Sequence, residues 1–428
     1  MKMTVIGAGS TYTPELVDGL LTRREVFPIT ELVLMDIDER KLRIVGNLAK
    51  RMAAHAGEPF AVRLTMDMED ALSGASFVMA QIRVGKLPAR HLDESIPLGF
   101  GLIGQETTGI GGFFKGLRTV PVLMDIARRM EALCPDAWLI NFSNPSGMIA
   151  EALLRYTGIK MMGLCNAPIN MVKSVREAVG DENAEVETVG LNHLSWITSV
   201  KSQGEEKLPE LLEKGYAGKK PANIPESEFD RACLAAVGGI PNYYLVYYYD
   251  RVNRLEKMKA AEKTRAQTCM EIEEELLKLY GDEGLYVKPA LLDKRGGHLY
   301  SEAAVSLAEA LHNDTGAVHI VNARNGGALP YLEPEEVAEI ACSVGKGGAT
   351  PLPICATGTP PMRDLIRTVK AYERLGVEAA LHGDRDAAIA ALLVHPLVGD
   401  YQTARGCFDA LLEAHAAYLP RFTGGKRA

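Results

Sequence analysis

Long apolar runs are missing from this chain. The stretch from Ala387 to Val394 is the longest late one, far short of the ~18–20 residues a membrane-spanning helix needs. Positive charge is not in excess either. Lys and Arg number 47 against 55 Asp and Glu, a net charge of −8. A mildly acidic surface with no basic block argues against nucleic acid or an anionic membrane as partner. An anionic ligand would therefore need a local pocket of Arg or Lys. Cysteine is sparse: seven residues, an odd number, scattered and never spaced Cys-x-x-Cys. That excludes a disulfide framework and fits a reducing cytoplasm. Met1-Lys2-Met3 runs straight into a strand pattern without a charged-then-apolar leader, so no secretory signal is expected.

What remains is the balance of an ordinary globular protein, 47% apolar and 24% charged over 428 residues. The length suits two or three domains. The first third alternates strand and helix. Lys2–Gly7, Glu31–Asp36, Phe77–Arg83, Ala137–Ser143 and Lys160–Cys165 read as strands. Helices are expected near Pro14–Arg23, Arg40–Ala56, Gly116–Cys134 and Ser146–Tyr156. Such βαβ alternation implies a Rossmann-like parallel sheet with helices on both faces, and ligands at the carboxyl ends of its strands. After about residue 170 the pattern changes. Paired strands (Val186–His193, Trp196–Gln203) precede long helical segments such as Leu255–Tyr280, with strand candidates at Ala317–Asn325 and Glu336–Val344. The expected division is a dinucleotide-binding domain over 1–165 and a mixed, mostly helical α/β catalytic domain over 166–428. The Gly-rich stretch Gly99–Gly116 reads as a loop long enough to carry function.

Gly7-Ala8-Gly9-Ser10 lies between the first strand and the first helix. Glycines there let the backbone approach a pyrophosphate seated on the helix N-terminus. The third glycine of the usual fingerprint is absent, and Tyr12 takes its place. Asp36 ends the second strand 27 residues past Gly9, where a ribose-binding acid belongs, and favours NAD over NADP. Cys165-Asn166 stands at the end of the strand Lys160–Cys165, and His193 ends the strand Val186–His193. A thiolate and an imidazole could share a divalent metal and leave positions open for substrate. Spacing alone equally fits a buried thiol and a core histidine. Tyr244 and Tyr248 share a helical face in PNYYLVYYYDR, a pattern as common in cores as in catalysis. Glu106 in Gly104-Gln105-Glu106-Thr107-Thr108-Gly109 reads as part of a functional loop or of a lid.

Read together, GAGSTYTPEL, DIDERKL, IGQETTG, GGFFKGLRT, NFSNPSGM, GLCNAPI, GLNHLSW, KRGGHLYS and VNARNGG occur in order from residue 7 to residue 327. This series closely resembles the NAD- and metal-dependent glycosidases of glycoside hydrolase family four. Cys165-Asn166-Ala167-Pro168 is similar to the Cys-Asn-x-Pro form of its members acting on 6-phospho-β-glucosides, rather than to the Cys-Asp-Met-Pro form of the α-type. Val246 stands where many relatives carry Arg.

The resemblance implies an elimination route. Hydride leaves C3 of the sugar for NAD⁺, the C2 proton becomes acidic, and the glycosidic oxygen departs from C1. Water then adds and hydride returns. It further implies Cys165 and His193 as ligands of Mn²⁺ or another divalent ion, and Tyr244 as the base at C2. Glu106 would accept or orient the tyrosine's proton, and Asn166 would orient substrate or metal-bound water. Arg90, Asn144 and Arg265 would contact substrate, with Arg265 suited to the 6-phosphate. Gly7, Gly9, Ser10 and Asp36 would hold NAD. The implied substrate is a phosphorylated disaccharide or an aryl 6-phospho-β-glucoside, and the implied assembly a homodimer or homotetramer. An NAD-dependent hydroxy-acid dehydrogenase, an α-specific member of the family and a catalytically silent sensor of NAD or sugar phosphate are the competing readings.

Overall fold

A computed structural model describes residues 1–216, 229–295 and 300–424. The Gly296–Leu299 part of KRGGHLYS lies outside the described residues. A nine-stranded sheet forms the centre. Its parallel part comprises β1 (Lys2–Ile6), β2 (Glu31–Met35), β3 (Ala61–Thr65), β4 (Phe77–Ala80), β5 (Trp138–Asn141) and β6 (Lys160–Gly163). A smaller sheet holds β7 (Glu185–Leu191), β8 (Leu194–Ser202), β9 (Glu205–Glu206) and β10 (Ile240–Pro241). β11 (Ala317–Arg324), β12 (Val337–Gly345) and β13 (Gly348–Pro351) return to the large sheet, giving the order β13-β12-β11-β6-β5-β4-β1-β2-β3.

The expected α/β class is therefore present, with a parallel sheet from the N-terminal region and a mostly helical remainder. β1, β2 and β4 are nearly continuous runs of buried apolar side chains, as strands covered on both faces must be. The expected boundary at residue 165 crosses one continuous sheet, because β11 pairs antiparallel with β6 at Asn322 and Gly163. No described helix is long and apolar enough to cross a membrane.

Two expectations need correction. Leu255–Tyr280 is two helices, Arg251–Ala260 and Arg265–Tyr280. Thr264 starts the second with a capping box: its side chain accepts from Gln267 N–H, and Gln267 reaches back to the Thr264 N–H. The Gly99–Gly116 loop is also shorter than expected, since Gly109–Leu133 is helix. The glycines there serve packing. A Cβ on Gly111 would lie 2.4 Å from the carbonyl oxygen of Asp93 on the helix Lys86–Gly99.

That close approach frames a buried ion cluster. Arg118 grips the Asp93 carboxylate with both terminal nitrogens, donates from Nε to the Val84 carbonyl at 3.0 Å, and lies fully buried with it. His415 Nε2 stands 3.0 Å from Asp93 on the far side. The cluster ties the loop after β4 to the C-terminal helices. Asp93→Asn keeps the shape but leaves the guanidinium uncompensated. We expect a loss of about 3–5 kcal/mol, read as a lower urea midpoint.

Candidate active site

The carboxyl ends of β1, β2, β4 and β5 open into a cleft of about 1250 Å³. At one end lies the first turn of the sequence fingerprint. Gly7 has φ +86, and a Cβ on it would come within 2.9 Å of the Gln81 carbonyl oxygen. A Cβ on Gly9 would meet the Asp36 carboxylate at 2.9 Å. Both glycines are thus required by close approach. Asp36 Oδ2 accepts the Gly9 N–H at 2.7 Å and Oδ1 accepts that of Asp38 at 2.9 Å. A carboxylate retains lone pairs beyond these two, so it can still accept from a ribose hydroxyl. Ser10 lines the same cleft, and the helix Thr13–Thr22 begins just beyond it. This turn, acid and helix N-terminus fit a dinucleotide.

Cys165 caps the helix Asn166–Val179, its Sγ accepting the Ala167 N–H at 3.4 Å. A helix N-terminus favours a thiolate, but burial dominates and pushes the thiol well above its usual range. His193 sits in the tight turn joining β7 to β8, where Leu191 pairs with Leu194. Its φ of +63 is left-handed, a conformation costly for a side chain with a Cβ. The turn brings Nε2 to 3.5 Å from Cys165 Sγ. Burial holds the imidazole neutral, with a pKa of about 3, and leaves Nδ1 without a partner among the described residues. Typical N and S bonds to a metal, about 2.1 and 2.3 Å, sum to more than this separation, so one ion could touch both atoms. The pair fits a divalent metal, as the residues' spacing had left open.

Tyr244 lies directly over His193, with ring centroids 4.1 Å apart. It belongs to the short turn Tyr243–Leu245, capped by Asn242, whose Oδ1 accepts the Tyr244 N–H at 3.1 Å. Asn242 Nδ2 is itself fixed on Ser195 Oγ of β8 at 3.1 Å. Burial, then the Cys165 charge, raise the Tyr244 phenol well above its usual value. A cation held by Cys165 and His193 would reverse that second influence. Val246 is 1% exposed and belongs to the core rather than the cleft.

Glu106 is surrounded by cations: Arg83, Arg90 Nη1 at 3.0 Å and Lys115 Nζ at 2.7 Å. These hold its carboxyl well below the usual range against burial. Arg90 is buried and also bound to Glu94 at 2.6 Å. Asn144, Asn166 and Arg265 line the cleft, and Arg265 Nη2 donates to the Lys294 and Arg295 carbonyls at 3.2 and 3.4 Å. The expected residues thus line or border one cleft, with Cys165 and His193 beneath Tyr244.

Two members of the site had no role in the sequence reading. Arg83 lies just past β4, and its place at the carboxyl end of a parallel strand was the available signal. Lys115 sits within a glycine-rich helical turn and carried no signal of its own.

The family 4 glycosyl hydrolase pattern matches residues 2–181, and the pattern of that family's C-terminal domain matches residues 188–398. The chain belongs to glycosyl hydrolase family 4. It is 43% identical to a Bacillus subtilis protein named "Probable 6-phospho-beta-glucosidase", over 99% of this chain and 98% of that one. It is 39% identical to the Escherichia coli 6-phospho-beta-glucosidase, over 99% and 97%. The Thermotoga maritima 6-phospho-beta-glucosidase, solved with manganese, NAD⁺ and glucose-6-phosphate, superposes with a TM-score of 0.90 at 38% identity. That match covers 98% of this chain and 99% of the Thermotoga one.

Proposed function

We infer that this chain is an NAD- and divalent-metal-dependent 6-phospho-β-glucosidase. It converts a phosphorylated β-glucoside to glucose 6-phosphate and the released aglycone. The observation that carries this is Tyr244, which lines the same cleft as Gly7, Gly9 and Asp36 and packs its ring against His193 of the Cys165–His193 pair. NAD⁺ would supply reversible hydride transfer at C3, and a divalent ion would supply Lewis-acid polarisation of the sugar. Cys165 and His193 would hold the ion. Gly7, Gly9, Ser10 and Asp36 would seat the dinucleotide.

Tyr244 Oη takes the C2 proton once that position is acidified. Glu106 is too firmly held as an anion by Arg83, Arg90 and Lys115 to accept a proton readily. Its role is to anchor those cations at the cleft wall. Arg90, paired with two carboxylates, shapes the same wall. Asn166 is an amide and orients substrate rather than protonating a leaving group, and Asn144 contacts the sugar. Residues 1–165 carry the dinucleotide side of the cleft and 166–428 most of the metal and base side. The seven cysteines are all free, which supports a reducing, cytoplasmic location.

The test is hydrolysis of a chromogenic 6-phospho-β-glucoside with NAD⁺, Mn²⁺ and a thiol, beside its α-anomer and the unphosphorylated glucoside. Turnover of the phosphorylated β-anomer alone is expected, without net NADH. Steady NADH release would instead mark a dehydrogenase. Arg265→Ala is expected to raise KM for the phosphorylated substrate by about 2–5 kcal/mol of lost binding. An equal effect on an unphosphorylated glucoside would remove the phosphate from Arg265.

A further inference from the structure

Behind the Cys–His pair lies a carboxylate that the reaction has not used. Glu339 on β12 is 1% exposed. Among the described residues it has no ion-pair partner. Its contacts are neutral donors: Asn192 Nδ2 at 3.0 Å, Ser195 Oγ at 3.4 Å and Asn322 Nδ2 at 3.5 Å. The buried Lys370 serves other carboxylates, Glu373 at 2.5 Å and Glu151 at 3.1 Å. Burial raises the pKa of its carboxyl to about 7, so it is fully ionised at neutral pH only when something positive faces it.

The position of Glu339 says what that is. Asn192 precedes His193 in the turn between β7 and β8, and Glu339 accepts its side-chain N–H at 3.0 Å. That bond ties the left-handed turn carrying His193 to β12. Ser195 extends the link. Its Oγ also receives Asn242 Nδ2, and Asn242 places the Tyr244 backbone.

We propose that Glu339 is a positioning residue of the metal site, pinning the Asn192–His193 turn and setting a negative charge behind the bound ion. The proposal rests on Cys165 and His193 as the metal ligands. Outer partners of metal ligands commonly govern affinity by 10–100-fold.

The experiment measures Mn²⁺ binding to the NAD-free protein from the free-ion paramagnetic resonance signal. Unfolding midpoints are taken with EDTA and with Mn²⁺. Glu339→Gln is expected to weaken Mn²⁺ binding by about 10–100-fold and to leave NAD⁺ affinity unchanged. Its midpoint in EDTA should equal or exceed that of the unsubstituted protein, because an uncompensated charge is gone, while the gain on adding Mn²⁺ shrinks. Asn192→Ala, which keeps the carboxylate, should weaken Mn²⁺ binding as well and serves if Glu339→Gln does not fold. Mn²⁺ affinity within twofold of the unsubstituted protein in the folded variants would overturn the proposal, as would an equal loss of midpoint in both conditions. Cys165→Ser separates the two levels. If it binds Mn²⁺ normally, the ligand assignment has failed. If it does not and Glu339→Gln does, only the positioning role has failed.

Discussion

Glucose 6-phosphate formed in D₂O is expected to carry deuterium at C2. On the proposed route Tyr244 removes the C2 proton in a step separate from hydride transfer, and a phenol exchanges its proton with solvent before returning one. Neither direct hydrolysis nor simple dehydrogenation shares this result. Tyr244→Phe keeps the ring packed against His193 and removes only the hydroxyl. It should cost about 10²–10⁴-fold in kcat, the usual contribution of a positioned base, while NAD⁺ still binds. Product from D₂O with hydrogen alone at C2 would remove both the route and the assignment of Tyr244. The raised phenol gives the same prediction a second edge. Without a divalent ion, burial keeps Tyr244 protonated at neutral pH, so metal-free protein should exchange the substrate's C2 hydrogen no faster than the Phe variant does.

Replacement of Cys165 by Ser should be as severe. The hydroxyl is a poorer ligand than a thiolate, and the site offers one other strong protein donor, His193. The fold should persist, because Ser is itself a favoured helix cap and can accept the Ala167 N–H in place of sulfur. Turnover is expected to fall more than the ~100-fold typical of losing an outer partner. Near-normal turnover of Cys165→Ser at limiting manganese would mean that the ion binds elsewhere. Oxidation of the thiol should inactivate in the same way, with recovery on adding a reductant as long as the sulfur has not passed the sulfenic stage.

The dinucleotide end of the cleft was legible because it is local. Strand, glycine turn, helix and acid follow one another within 36 residues, and each has its own physical signature. The Cys–His pair was visible only as two separate strand ends. What joins them is the left-handed His193 turn, which no propensity predicts, since a β-hairpin turn with a positive φ favours Gly, Asn or Asp. Glu106 and Arg90 were found, but not the other two cations on Glu106, because Arg83 and Lys115 come from two other elements. Glu339 was read only as a strand residue. Its principal partner, Asn192, is 147 positions away, and contact over that distance leaves no periodic trace. The break before Arg265 is different. Thr264 and Gln267 wrote it plainly, and the apolar spacing on either side hid it.

The antiparallel return of β11 and β12 to the edge of β6 sets an order of assembly. A nascent chain that has emerged to residue 200 already possesses every strand needed for the nucleotide turn and both of the proposed metal ligands, Cys165 and His193. It still lacks the strand bearing Glu339, the tyrosine turn and Arg265. Domains generally fold from the N-terminus as synthesis proceeds. The growing protein can therefore capture its nucleotide well before its ion, and the metal centre closes only when the last third of the polypeptide docks.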